Sequence, residues 1–144
     1  MSDSNSQLGR EICDILTRWT WPDHAQSMHA EVALSLRIVG FEVRFEHPIA
    51  KFGDDGRSGR IDLVVRHGDA VAAIELDARR PRRRSIAKLK AFDGFRIIGL
   101  RGVRWQDKVE GIDAVVCLRS RQATFAELSD RRTVRRFASR KASQ

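Results

Sequence analysis

The sequence predicts an α/β fold, a mixed sheet flanked by helices, and three observations carry that expectation. Apolar residues recur at helical spacing in two stretches near the start of the chain. Short runs rich in Val, Ile, Leu and Phe follow, bounded by Gly, Asp and Pro as strands are. A helical pattern then stands between two of these runs, and a helix joining consecutive strands implies a parallel pairing, because antiparallel neighbours need only a tight turn.

Taken in order, residues 1–7 carry no apolar period and are expected as a disordered leader. Leu8, Ile12, Ile15, Leu16 and Trp19 share one helical stripe. Trp21-Pro22-Asp23 interrupts it, and Asp23 is placed to cap a second helix from about His24 to Val39. That helix has the stripe Met28, Val32, Leu36 and Val39, with Glu31 on its border, and Gly40 stops it. Phe41–Glu46 alternates strictly, as a half-buried strand does, and Pro48 ends it. Residues 53–59 form a turn-rich loop. Ile61–Arg66 and Val71–Asp77 are the next strands, joined at His67-Gly68-Asp69 closely enough for an antiparallel hairpin. Pro81 opens a helix through about Phe92, with Ile86 and Leu89 inward. Phe95–Leu100 and Ala114–Leu118 supply two more strands, and 124–141 a basic helix. The domain proper is therefore expected over 8–118, with 119–144 as a basic C-terminal helix or tail.

A chain of 144 residues, 42% of them hydrophobic, builds one domain with a packed core. No apolar run approaches the roughly 18 residues of a membrane span. The first residues lack the basic and apolar regions of a signal peptide, so the expected setting is the cytoplasm, with no membrane partner. Cys13 and Cys117 lie in apolar contexts without zinc spacing and read as buried, reduced thiols. The net charge of +8 is unevenly spread. Residues 1–77 carry 8 basic and 13 acidic side chains, whereas 78–104 carry 10 basic and one acidic. Positive charge gathered directly behind acidic strands is an electrostatic footprint for nucleic acid.

The acids on the strands carry the chemistry. Period two puts Glu75 and Asp77 on one face of their strand with Val71 and Ala73, opposite Ala72, Ile74 and Leu76. On the preceding strand Asp62 is expected beside Val64, opposite Ile61, Leu63 and Val65. Two carboxylates opposed on paired strands stand about 5 Å apart at Cβ and repel, so one protonates unless a cation sits between them. Mg²⁺, held at about 2 Å by one or two carboxylates and several waters, suits such a place. There it polarises a phosphate and supplies hydroxide for in-line attack.

Glu31 on a helix, Asp62 in Gly59-Arg60-Ile61-Asp62-Leu63-Val64-Val65, and Glu75 in Ile74-Glu75-Leu76-Asp77 together resemble the PD-(D/E)xK nuclease superfamily, the restriction-endonuclease-like fold. Its pattern is a helical Glu, an Asp starting one strand and Glu-x-Lys on the next, within an αβββαβ core. The resemblance covers roughly residues 24–118. It implies phosphodiester hydrolysis with Mg²⁺ or Mn²⁺, with Asp62 and Glu75 as metal ligands, the Leu76 carbonyl as a third, and Glu31 as an accessory. Where the family has lysine this chain has Asp77. Some branches of the family carry the lysine on the following helix, which makes Lys88 its counterpart here. Arg79 and Arg80 are other sources of a cation near the metal, and Asp77 shares Glu75's face as a further ligand.

Arg79-Arg80-Pro81-Arg82-Arg83-Arg84 crowds five arginines at a helix N-terminus. They repel one another and oppose the macrodipole, a poor arrangement for stability and a good one for gripping phosphates. Arg132, Arg136 and Arg140 recur at i, i+4 and i+8 in the C-terminal segment as a second contact. The histidines His24, His29, His47 and His67 lack ligand spacing and read as surface or capping residues. Gly53–Gly56 lacks the Gly-Lys-Ser/Thr of a phosphate loop. The expected function is a DNA endonuclease, resembling the small basic nucleases of bacteria and their phages and compatible with a homodimer. Two alternatives use the same residues: a degenerate nuclease fold that grips nucleic acid without cutting, and a regulator that binds an acidic protein.

Overall fold

The computed structural model describes residues 2–53 and 56–121. Its element order is α1 (Asp3–Arg18), β1 (Thr20–Trp21), α2 (Ala25–Ile38), β2 (Glu42–Phe52), β3 (Arg57–His67), β4 (Ala70–Asp77), α3 (Arg83–Lys90), β5 (Phe95–Arg101) and β6 (Ala114–Ser120). The strands form one six-stranded mixed sheet in the order β1-β6-β5-β4-β3-β2. β2, β3 and β4 pair antiparallel, as the short turn at 67–69 requires, and β4, β5, β6 and β1 run parallel. The helix between β4 and β5 is the crossover that makes their pairing parallel. The expected α/β mixed sheet is what forms. The basic helix expected over 124–141, with Arg132, Arg136 and Arg140, lies outside the described residues.

Two apolar layers hold the sheet. On one face Leu8, Ile12 and Leu16 of α1 and Met28, Val32 and Leu36 of α2 pack on Leu63, Val65, Ala72, Ile74, Leu76, Ile97 and Leu118. On the other, Leu89 and Phe92 cover Ile61, Val64, Ala73, Ile98 and Leu100. Val39, counted in the α2 stripe from sequence, is exposed just past the helix end, where it caps α2. No helix among the described residues is long and apolar enough to cross a membrane.

Several boundaries differ from expectation for physical reasons. Residues 3–7 are not a leader but the first turns of α1. The Ser2 hydroxyl caps that helix by accepting the Asn5 N–H at 3.3 Å, and Asn5 Oδ1 accepts the Val71 N–H at 2.8 Å, tying α1 to the start of β4. His24 occupies the N-cap of α2 without a side-chain bond, so Asp23 does not cap it. β2 runs through Pro48, which is tolerated because β2 is the sheet edge, where a missing N–H faces outward. β3 starts within the expected loop, at Arg57. α3 begins at Arg83 rather than Pro81. The two cysteines are free and half-buried.

Candidate active site

Asp62 lies where β3 loses its regularity. Strict alternation groups Ile61 with Leu63 and Val65, but Ile61 packs with Val64 and Leu89 on the α3 face while Leu63 and Val65 stay on the α1/α2 face. The strand therefore slips phase at Asp62. The pairing with β4 stops at Leu63↔Ile74. On the other side, Glu46 stands opposite Asp62, between the pairs Phe45↔Leu63 and His47↔Ile61, and takes φ 50°, a conformation few side chains adopt. Flanked by these irregularities, Asp62 Oδ2 accepts the Leu76 N–H at 2.8 Å. A side chain thus serves where the ladder has ended, and it brings the Asp62 carboxylate to β4 beside Glu75.

Glu75 is fully buried and points to the α3 face, where Lys88 meets it. Lys88 Nζ lies 2.6 Å from Glu75 Oε1. It also donates to the Arg60 carbonyl at 2.8 Å. The contact with Glu75 is an ion pair by distance without the direction of a hydrogen bond, and neither Glu75 oxygen has a hydrogen-bond partner among the described residues. Gly59 makes room for the Phe52 ring, which a Cβ there would meet at 2.6 Å, while the Lys88 stem passes at ordinary contact distance. Burial, reinforced by the neighbouring Asp62 charge, pushes the Glu75 carboxyl up to about 8 against the pull of Lys88.

Asp77, two residues on, has the opposite surroundings. Its Oδ2 accepts the Arg82 N–H at 2.9 Å, and its Oδ1 accepts Arg82 Nε at 2.9 Å and the Ser85 hydroxyl at 2.8 Å. It is the cap of α3, supplied from the preceding strand. Against the expectation of Asp77 as a further ligand, both of its oxygens already accept hydrogen bonds from Arg82 and Ser85. Glu31 is engaged as well. It pairs with Arg121, Nη2 to Oε2 at 2.9 Å, and Arg121 also bonds the Thr20 carbonyl. Among the described residues Glu31, Asp62 and Glu75 do not form a group of three placed to hold a metal.

Above Asp62 opens a cleft of about 410 Å³, lined by Ala25, His29, Leu76, Ala78, Arg79, Arg80, Arg82 and Arg101. It sits at the C-terminal ends of β4 and β5, where open α/β sheets place ligands. The arginine run divides here. Arg79, Arg80 and Arg82 face the cleft; Arg83 lines a separate groove with Lys51 and Lys90; Arg84 lies over the Phe52 ring at 5.4 Å. Sequence reasoning missed His29 and Arg101. His29 and Ala25, one turn apart on α2, line the same cleft, a spacing the sequence shows without indicating that this face meets β4.

The residues fit a divalent cation in part. Among the described residues no group of three or more His, Cys, Asp or Glu side chains is placed to hold a metal. Asp62 and Glu75 form a pair, and the buried, unpartnered Glu75 Oε2 is an acceptor in want of a cation. For Mg²⁺, which keeps most of its waters, one or two carboxylates suffice. No protein-family model matches this chain, and no curated protein shows significant similarity to it.

Proposed function

We propose that this chain is a cytoplasmic DNA endonuclease of the PD-(D/E)xK type that hydrolyses phosphodiester bonds with Mg²⁺ or Mn²⁺. The observation that carries the proposal is the Lys88 ammonium 2.6 Å from Glu75, on the helix that follows a strand lacking the usual lysine. A buried cation set against one of two adjoining acids is costly for stability alone, because desolvating both charges offsets most of their attraction. It is useful where a phosphate must be held and negative charge must be stabilised as it develops.

Asp62 and Glu75 would hold the metal, which when bound polarises the scissile phosphate and acidifies a water. Lys88 pulls the Glu75 proton affinity down against burial and Asp62, and its ammonium is a proton donor for charge developing on the phosphate. Arg79 and Arg80 position the strand, contacts that carry affinity without reading sequence. One observation favours a second reading, binding without cutting: Glu31 is engaged by Arg121, which leaves two carboxylates together rather than three.

Supercoiled plasmid incubated with the protein separates the two. Nicking or linearisation in Mg²⁺ that stops in EDTA and is lost in Asp62→Asn supports the nuclease. Retarded but uncut DNA under every metal condition supports the binder.

A further inference from the structure

We propose that His29, Arg79, Arg80 and Arg101 form a clamp for the phosphodiester backbone beside the scissile bond, contributed by three separate elements around Asp62. The inference deepens the nuclease reading and rests on it for the position of the scissile phosphate. All four side chains line the cleft that contains Asp62. They come from α2, the β4–α3 connection and the last residue of β5, so no single charge run accounts for their meeting.

Among the described residues the side chains of Arg79, Arg80 and Arg101 make no hydrogen bond or ion pair, although the Arg101 backbone pairs with β6. Other arginines are engaged: Arg82 on Asp77, Arg96 on the Lys90 and Phe92 carbonyls, and Arg119 on the Arg18 carbonyl. Three guanidiniums lining one concavity outnumber its single carboxylate, Asp62, and repel one another until a further anion enters. Planar guanidinium forks match phosphate oxygens in pairs, and a half-buried imidazole adds one more N–H donor from the opposite wall. Asp62 on the floor disfavours a free anion deep in the cleft. It suits a backbone whose phosphates meet the cationic rim while the scissile group meets the acids.

The test is binding of a short fluorescein-labelled duplex in EDTA, titrated with salt, beside the wild-type protein's Mg²⁺-dependent plasmid cleavage. For the triple variant Arg79→Gln, Arg80→Gln, Arg101→Gln we expect the slope of log K against log[salt] to shrink by about 0.9 for each phosphate that is no longer neutralised. Arg10→Gln, which removes one exposed charge from α1, should keep the wild-type slope. His29→Ala should weaken binding more than His29→Gln, which keeps a donor. Thermal melts of each variant establish that it is folded. A triple variant with the wild-type slope overturns the clamp, and a mononucleotide competing as well as the duplex, phosphate for phosphate, overturns the backbone as its ligand. Cleavage by the wild type with an unchanged slope in the variant sinks the clamp alone. A flattened slope with no cleavage sinks the nuclease alone.

Discussion

The two faces of the sheet are built by different rules. The α1/α2 face is an apolar core in which Ile12, Leu16, Met28, Val32, Leu36, Leu63 and Ile74 are wholly buried. The α3 face also buries apolar residues, but it admits Glu75, Asp77, Ser85 and Lys88 among them. The two acids on that face then part company. Asp77 is satisfied by three donors of α3, whereas Glu75 has one close cation and no hydrogen bond. The contrast teaches that burial of a charge does not by itself mark a site. Asp77 is held by hydrogen bonds at the start of α3, whereas Glu75 stands between one cation and a second acid, which is where the proposed chemistry is placed.

Substitutions can break that contrast, and the largest effect belongs to the paired acids. Asp62→Asn and Glu75→Gln should each lower Mg²⁺-dependent cleavage by about 10³-fold or more, on the scale of removing one transition-state interaction. Circular dichroism should report an unchanged fold, since both replacements preserve shape. On the apolar face, Ile74→Ala should cost about 2–5 kcal/mol in urea unfolding, with cleavage per folded molecule retained. Asp77→Ala should cost about 1–2 kcal/mol through loss of the helix cap and change cleavage per folded molecule little. If Asp77→Ala instead abolished cutting at full stability, the division between the two acids would be wrong.

The smallest effect is in pH. Glu75, raised from 4.5 to about 8, binds its proton more tightly folded than unfolded. Its contribution to stability is therefore complete below about 4.5 and is lost as pH rises through 8. In EDTA, Tm should decline over that window, and Glu75→Gln should flatten the decline.

The sheet was legible because its signals are local. The turn at His67-Gly68-Asp69 set the hairpin, and the helical pattern holding Ile86 and Leu89 set the parallel crossover. Lys88 was legible as a cation one helix beyond Glu75, and the structure places it there. The rest depended on partners far along the chain. Asn5 anchors α1 to Val71, Pro48 fits only because β2 is an edge, and Arg121 draws Glu31 away. The phase slip at Asp62 was hidden because alternation assumes an unbroken strand, and nothing in Ile61-Asp62-Leu63 announces a break.

The central claim is that Lys88 serves the acid pair in place of the strand lysine. Single-turnover cleavage by Lys88→Met, with the protein in excess of the DNA and above the dissociation constant, is the decisive measurement. The rate should fall by about 10²–10⁴-fold, the range for a positioned proton donor, with DNA affinity and fold intact. A Lys88→Met protein that cuts at the wild-type rate would contradict it.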